Sequence, residues 1–229
     1  MIPKIIHYCW FGGNPLPELA QRCIASWKKY LPGYEIKEWN EDNFDINVIP
    51  YTADAYKAKK YAFVSDYARF WILYHFGGIY FDTDVEVIKP LDDILVKGAF
   101  LGCESTLENH IMVASGLGMA AEKGNCIYED ILKAYEKLLF ITKGRISTTV
   151  VWLVTNHLFS IGLKNIKEIQ EVGGITIYPE DYFCPKDCRT GNINITSNTR
   201  TIHHGAASWV GKESLFHKII RRIKYFFSK

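Results

Sequence analysis

The chain has 229 residues, of which 48% are hydrophobic and 23% charged, and a formal net charge of +2. That balance supplies apolar surface for one sizeable core and excludes bulk disorder. It also argues against a general nucleic-acid binder, because the positive charge is concentrated in residues 212–229. There Lys212, Lys218, Arg221, Arg222, Lys224 and Lys229 outweigh Glu213 to give +5, leaving −3 on the rest.

Residues 2–10 predict a first strand, closed by Gly12-Gly13-Asn14-Pro15. Residues 16–31 carry apolar side chains at helical spacing (Leu19, Cys23, Trp27, Tyr30) and stop at Pro32-Gly33. Residues 34–39 alternate as a second strand before the turn Asn40-Glu41-Asp42-Asn43, and helix–turn alternation continues to about Lys60. The strongest predicted helix covers 62–76, with Gly77-Gly78 as its stop. Residues 79–88, β-branched and aromatic, predict one strand ended by Lys89-Pro90. Further helices are expected over 123–140 and 148–159, and residues 175–208 form a turn-rich closing region. Strands alternating with helices predict an α/β domain around a mostly parallel central sheet, with ligands at the carboxyl ends of its strands.

The six cysteines (Cys9, Cys23, Cys103, Cys126, Cys184, Cys188) form no CxxC pair and no zinc-finger spacing, so reduced thiols are expected. Met1-Ile2-Pro3-Lys4 opens no signal-peptide pattern, and no run approaches the roughly 18 apolar residues of a membrane span. Asn194-Ile195-Thr196 matches a glycosylation acceptor and is read as coincidence. A cytoplasmic protein is the expectation.

The chemistry concentrates in Ser65-Asp66-Tyr67-Ala68-Arg69 and Gly77-Gly78-Ile79-Tyr80-Phe81-Asp82-Thr83-Asp84. On a continuous strand, side chains at i and i+2 share a face, which would put Tyr80, Asp82 and Asp84 in one row. Two adjacent carboxylates repel unless a cation or a proton lies between them, and an all-oxygen pair suits Mg²⁺ or Mn²⁺. Asp66 and Arg69 lie three apart on one helix face, where they can hold sugar hydroxyls and phosphate. Taken alone, a D-x-D is usually a solvated strand end, and Asp66 with Arg69 usually a surface ion pair. The joint pattern is more specific than either.

This run closely resembles the DXD sugar-binding region of glycosyltransferase family 32, which includes fungal initiating mannosyltransferases and bacterial capsule and surface-polysaccharide enzymes. It is also similar to the same region of the clostridial glucosylating toxins. Ile2-Pro3-Lys4-Ile5-Ile6-His7-Tyr8-Cys9-Trp10-Phe11-Gly12-Gly13 looks like the family's first strand and nucleotide-facing loop, and His203-His204…Ser208-Trp209 like its closing segment. The resemblance implies a GT-A-like fold, a nucleotide-sugar donor (UDP preferred), Mn²⁺ or Mg²⁺, and transfer with retention of configuration to a glycan or lipid-linked glycan acceptor in surface or capsular polysaccharide synthesis. It implies Asp84 as principal metal ligand, Asp82 bridging metal and donor, and Tyr80, Asp66 and Arg69 on the sugar and diphosphate. The backbone at Ile6 and His7 would face the base with Trp10, a residue equally readable as core. His204 is taken as the third metal ligand in preference to His203, and Ser208 and Trp209 as phosphate contacts. The family's usual Gly-Pro acceptor-side motif is not found, and Ser147-Thr148-Thr149 stands in that place. A metal-dependent phosphohydrolase and a non-catalytic nucleotide-sugar-binding module are the alternative readings.

The expected organisation is a catalytic domain over 1–211 and a basic amphipathic helix over 212–229. From Leu215 to Lys229 the apolar residues Leu215, Phe216, Ile219, Ile220, Ile223, Phe226 and Phe227 gather on one face. Such a helix can lie on an anionic membrane, placing the enzyme peripherally on its cytoplasmic face, or can dock on the core with its basic side in water.

Overall fold

The structure, a computed structural model, describes residues 1–104, 110–142, 145–187 and 190–206. The expected helix over 212–229, and with it Ser208 and Trp209, lies outside the described residues. Eleven strands and seven helices follow one another in the order β1 (Ile5–Cys9), α1 (Glu18–Tyr30), β2 (Glu35–Trp39), α2 (Pro50–Lys57), α3 (Tyr61–Phe76), β3 (Gly78–Tyr80), β4 (Val85–Val87), α4 (Asp92–Leu95), β5 (Phe100–Glu104), β6 (Met112–Ala121), α5 (Cys126–Glu136), β7 (Ile141–Thr142), β8 (Arg145–Ile146), α6 (Val150–Ser160), β9 (Gln170–Val172), β10 (Ile175–Tyr178), α7 (Glu180–Phe183) and β11 (Thr201–His203) among these residues.

The main sheet has seven strands in the order β2-β1-β3-β6-β5-β10-β9. β2, β1 and β3 pair in parallel, as do β5 and β10, while β6 and β9 run against their neighbours. Five strands therefore point the same way and deliver their carboxyl ends to one edge. Both faces are covered, as a near-continuous apolar strand requires. Ile79 and Phe81 pack on the side of Trp27 in α1, and Tyr80 packs on the opposite side with Tyr67 and Phe70 of α3.

α3 is the element that carries the chemistry inward. Phe63, Val64, Tyr67, Ala68, Phe70, Ile72 and Leu73 bury most of its circumference, so Arg69 is taken into the interior with them. Its end is fixed by two glycines in left-handed conformation, Gly77 (φ 66°) and Gly78 (φ 103°). A Cβ on Gly78 would stand 2.6 Å from the Ile5 carbonyl oxygen, and one on Gly77 2.8 Å from the Lys123 nitrogen. The chain can thus pass directly from helix into β3 against β1.

The strand expected over 79–88 is broken. The Asp82 N–H goes to the Gly116 carbonyl (3.1 Å) and the Val85 N–H turns back to the Asp82 carbonyl (3.1 Å), so residues 81–84 form a turn. β4 beyond it pairs with β11 in a separate two-stranded sheet. The row of Tyr80, Asp82 and Asp84 on one strand face is therefore corrected to a turn that leaves the main sheet. α1 braces that turn: the buried Trp27 Nε1 donates to the Val85 carbonyl (2.7 Å), and Ser26 Oγ accepts from the Val87 N–H (2.9 Å).

β5 and β6, which strand and helix signals did not reveal, complete the sheet. Their register jumps, Leu101 facing Met119 but Gly102 facing Ala114, so residues 115–118 leave the ladder as a bulge. Bulges commonly re-aim side chains beside functional sites. This one pushes Ser115 and Gly116 against the turn at Asp82.

Candidate active site

Arg69 lies at the centre of a polar cluster with its side chain 4% exposed. Its Nη2 donates to Asp66 Oδ1 (2.9 Å) and Asp82 Oδ1 (3.0 Å), its Nη1 to Ser115 Oγ (3.1 Å), and its Nε to the Ser65 carbonyl (3.2 Å). The guanidinium also lies over the Tyr80 ring, 5.0 Å from its centroid, while the Tyr80 hydroxyl donates to Asp82 Oδ1 (3.1 Å). A guanidinium is the group best able to serve two carboxylates and a hydroxyl at once, because its donors form a planar fork. Gly116 completes the wall. A Cβ there would fall on Asp82 Oδ2 and stand 2.9 Å from Asp82 Cγ and 3.2 Å from Arg69 Nη1.

The charges are unequal in cost. Burial pushes Asp66 up to about 7, with Arg69 opposing the rise and Asp82 adding to it. Burial also raises Asp82, again against Arg69. Arg69 itself stays a firm cation, since the attraction of Asp82, Tyr80 and Asp66 outweighs its own desolvation. The arrangement holds two carboxylates in low dielectric on one guanidinium, which favours a further positive or hydroxyl-bearing ligand at their open side.

Asp84 sits on the far side of the turn. Its Oδ2 accepts from the Ala206 N–H (2.7 Å) and its Oδ1 lies 3.3 Å from His203 Nε2. Burial would raise Asp84, but these bonds and the His203 charge more than reverse that and hold it at about 2. Burial lowers His203, yet its bonds to Asp84 and Cys184 prevail and lift it to about 10. Glu104, at the carboxyl end of β5, is raised by burial and feels the His203 charge in opposition.

Asp82, Asp84 and His203 each offer one ligand atom, all within 4.8 Å of one another. An octahedral ion with bonds of about 2.1 Å separates opposite ligands by roughly 4 Å, so small side-chain movements would close the set on one ion. Two carboxylates and one imidazole fit a hard to borderline divalent cation. The histidine reading is corrected here. β11 ends at His203, and His204 just beyond it points to the other side. His203 turns to Asp84, whereas His204 Nε2 meets Glu86 Oε2 (2.9 Å).

The nucleotide-facing expectation for Ile6 and His7 is also corrected. β1 is an interior strand, with Ile6 between Ile36 and Ile79, and the two residues are 0% and 1% exposed. The His7 carbonyl accepts from the Phe81 N–H (3.1 Å), its Nδ1 accepts from Trp39 Nε1 (3.0 Å), and its Nε2 meets the Gly77 carbonyl (3.0 Å). Burial holds this imidazole down at about 4, so it is a neutral structural link between the strand and the double-glycine turn. Trp10, just past the end of β1, is half-buried at the rim of the core, its indole N–H on the Asn14 carbonyl (2.6 Å). Asp66, Arg69, Tyr80, Asp82 and Asp84 are thus brought together, with Ser115, Gly116 and His203 joining from distant parts of the chain.

Residues 17–101, which include Asp66, Arg69 and Asp82-Thr83-Asp84, match the family described as the glycosyltransferase sugar-binding region containing DXD motif. Over this segment the chain is similar to that family. Over 111 residues the chain is 30% identical to inositol phosphoceramide mannosyltransferase 1 of Schizosaccharomyces pombe, covering 44% of this chain and 33% of that protein. An uncharacterized glycosyltransferase of Acanthamoeba polyphaga mimivirus is 37% identical over 106 residues, 44% of this chain and 42% of its own. The matched part of the chain therefore spans about a third to two fifths of the length of these curated relatives. Among solved structures, a glycosyltransferase involved in the glycosylation of the major capsid of PBCV-1 superposes at TM-score 0.51 and 11% identity, over 95% of this chain and 100% of that one. At that identity the likeness is one of fold. The DXD chain has a GT-A-like fold, a mixed sheet with most strands parallel, as its sequence resemblance implied.

Proposed function

We propose that this chain is a metal-dependent glycosyltransferase that moves a hexose or N-acetylhexosamine from a nucleotide-sugar donor, UDP preferred, to a glycan acceptor with retention of configuration. The observation that carries the reading is Asp82, which belongs at once to the Asp66–Arg69 cluster and to the Asp84–His203 pair. One side suits a sugar's hydroxyls, the other a cation against a diphosphate. Asp82, Asp84 and His203 would hold Mn²⁺ or Mg²⁺. When bound, the ion supplies positive charge to a diphosphate leaving group. Asp66 and Asp82 accept from sugar hydroxyls, and Arg69 keeps both carboxylates in place. In the retaining reaction the bond from the anomeric carbon to the diphosphate oxygen breaks and the acceptor oxygen bonds to that carbon on the same face. The acceptor proton passes to the departing phosphate oxygen. Names of relatives that include mannosyl transfer and capsid glycosylation support the class, and surface-polysaccharide synthesis is the setting we favour.

The test is thermal denaturation with UDP and GDP, with and without Mn²⁺. A ligand at about 100 times its dissociation constant is worth about 2.7 kcal/mol, or roughly 5–10 °C for a chain of this size. The shift is expected to need Mn²⁺, to vanish in Asp84→Asn and His203→Ala, and to persist in His204→Ala. No shift with any nucleotide, or loss in His204→Ala alone, sinks the site as drawn; an inverted product anomer sinks retention.

A cytoplasmic enzyme held to an anionic membrane through residues 215–229 is part of the proposal, and its support is the amphipathic order of that segment. Ile220→Asp with Phe227→Asp is expected to abolish co-sedimentation with anionic liposomes; unchanged co-sedimentation refutes the membrane contact.

A further inference from the structure

A cleft of about 390 Å³ opens beside the amino end of α6, bordered by Phe63, Ile146, Ser147, Thr148, Trp152 and Asn156. That volume lies within the roughly 300–1,000 Å³ of small-molecule sites. None of these six side chains carries a formal charge. Trp152 is 57% exposed, the larger of two aromatic surfaces that α6 leaves in water, the other being Phe159 at 39%. Two threonine hydroxyls are committed to local structure: Thr149 Oγ1 caps α6 by accepting from the Trp152 N–H (3.4 Å), and Thr148 Oγ1 donates to the Thr149 carbonyl (3.3 Å). The cap fixes the first turn of α6, and with it the place of Trp152 on the cleft wall.

The cleft is close to the catalytic cluster without containing it. Asp66, Asp82 and Asp84 do not line it. Phe63 and Asp66 are three apart on α3, so they share a face within one helical turn. α6 is tied to the active-site strand through Thr155 Oγ1, which accepts from the Val113 N–H (2.9 Å), two residues before Ser115 on Arg69.

We propose that this cleft is the acceptor subsite and that it takes a neutral saccharide, with a sugar ring stacked on Trp152 and its hydroxyls met by Asn156 and Ser147. Among the described residues the lining carries no charge to pair with a phosphate, while an exposed indole beside amide and hydroxyl groups matches the apolar face and polar rim of a sugar ring. The proposal rests on the glycosyltransferase reading above and assigns its second substrate. It also places Ser147-Thr148-Thr149 on the acceptor side.

The probes are the methyl glycosides of mannose, galactose, glucose and N-acetylglucosamine, observed by saturation-transfer NMR on the full chain with UDP and Mn²⁺ present. At least one glycoside is expected to receive saturation from the wild type. The signal should fall more than fivefold in Trp152→Ala and Asn156→Ala and largely survive in Trp152→Phe. Unchanged melting temperatures of the variants exclude misfolding as the cause. Signals equal in wild type and Trp152→Ala, or absent from the wild type for all four glycosides, overturn the assignment. The Mn²⁺-dependent nucleotide shift, measured on the same wild-type sample, separates that result from a failure of the glycosyltransferase reading itself.

Discussion

Arg69→Met is expected to cost about 3 to 5 kcal/mol of stability, the range for removing one partner of a buried charge pair. Methionine matches much of the aliphatic stem, so lost packing contributes little. What remains is Asp66 and Asp82, with side chains 14% and 30% exposed, without the cation that held them. Ser115 Oγ and the Ser65 carbonyl lose their partner as well. The penalty depends on pH with a definite sign. Asp66 sits at about 7 in the fold, above the roughly 4 of an unfolded aspartate. It therefore withdraws stability as pH rises from about 4 to about 7, because in that window the folded state holds the extra proton. Without Arg69 both acids move higher still, so the deficit relative to wild type should be small near pH 4 and largest above pH 8. Urea denaturation across that range measures it. A deficit under 1 kcal/mol at pH 8, or one independent of pH, would mean that Arg69 is not the counter-charge of this cluster.

Gly116→Ala is expected to lower transfer by about 10²- to 10³-fold, the cost of misplacing a group that stabilises developing charge. The added methyl falls on the Asp82 carboxylate, which cannot retreat toward Arg69 because the same methyl stands 3.2 Å from Nη1. The carboxylate must rotate off Arg69 and out of the group it forms with Asp84 and His203. The loss should appear together in the Mn²⁺-dependent nucleotide shift and in turnover, while the fold survives with a modest fall in melting temperature. Turnover within threefold of wild type would show that Asp82 is not needed in the position seen here.

Both variants bear on what the chain's order could and could not reveal. Asp66, Arg69, Tyr80, Asp82 and Asp84 were legible because they are local. A helix of strong apolar content, a double glycine and a short acidic run lie within twenty residues, and the spacing alone places them on adjoining elements. β1, α1, β2 and α3 were legible for the same reason, since their periodicity and stop residues are written in their own neighbours. The turn at 81–84 was not. Its residues have the composition of a strand, and only the Gly116 carbonyl, 34 positions further on, takes the Asp82 N–H and ends the ladder. β6 is not legible either, because its small residues and glycines carry no strand alternation and its bulge exists only against β5.

The closing histidine shows the division at a single residue. The sequence by itself established that one of His203 and His204 must turn away from the acids, since neighbours in an extended segment alternate. Which one does so depends on the register of β11 on β4, where His203 faces Val85. A change of register by one residue would exchange them. Local composition therefore determined the class of chemistry and the residues of the DXD segment. Tertiary structure decided their partners: Ser115 and Gly116 from a bulge, and His203 from the last described strand. Those contacts join residues far apart in the chain, and no local pattern records a contact whose energy is realised only when the sheet has formed.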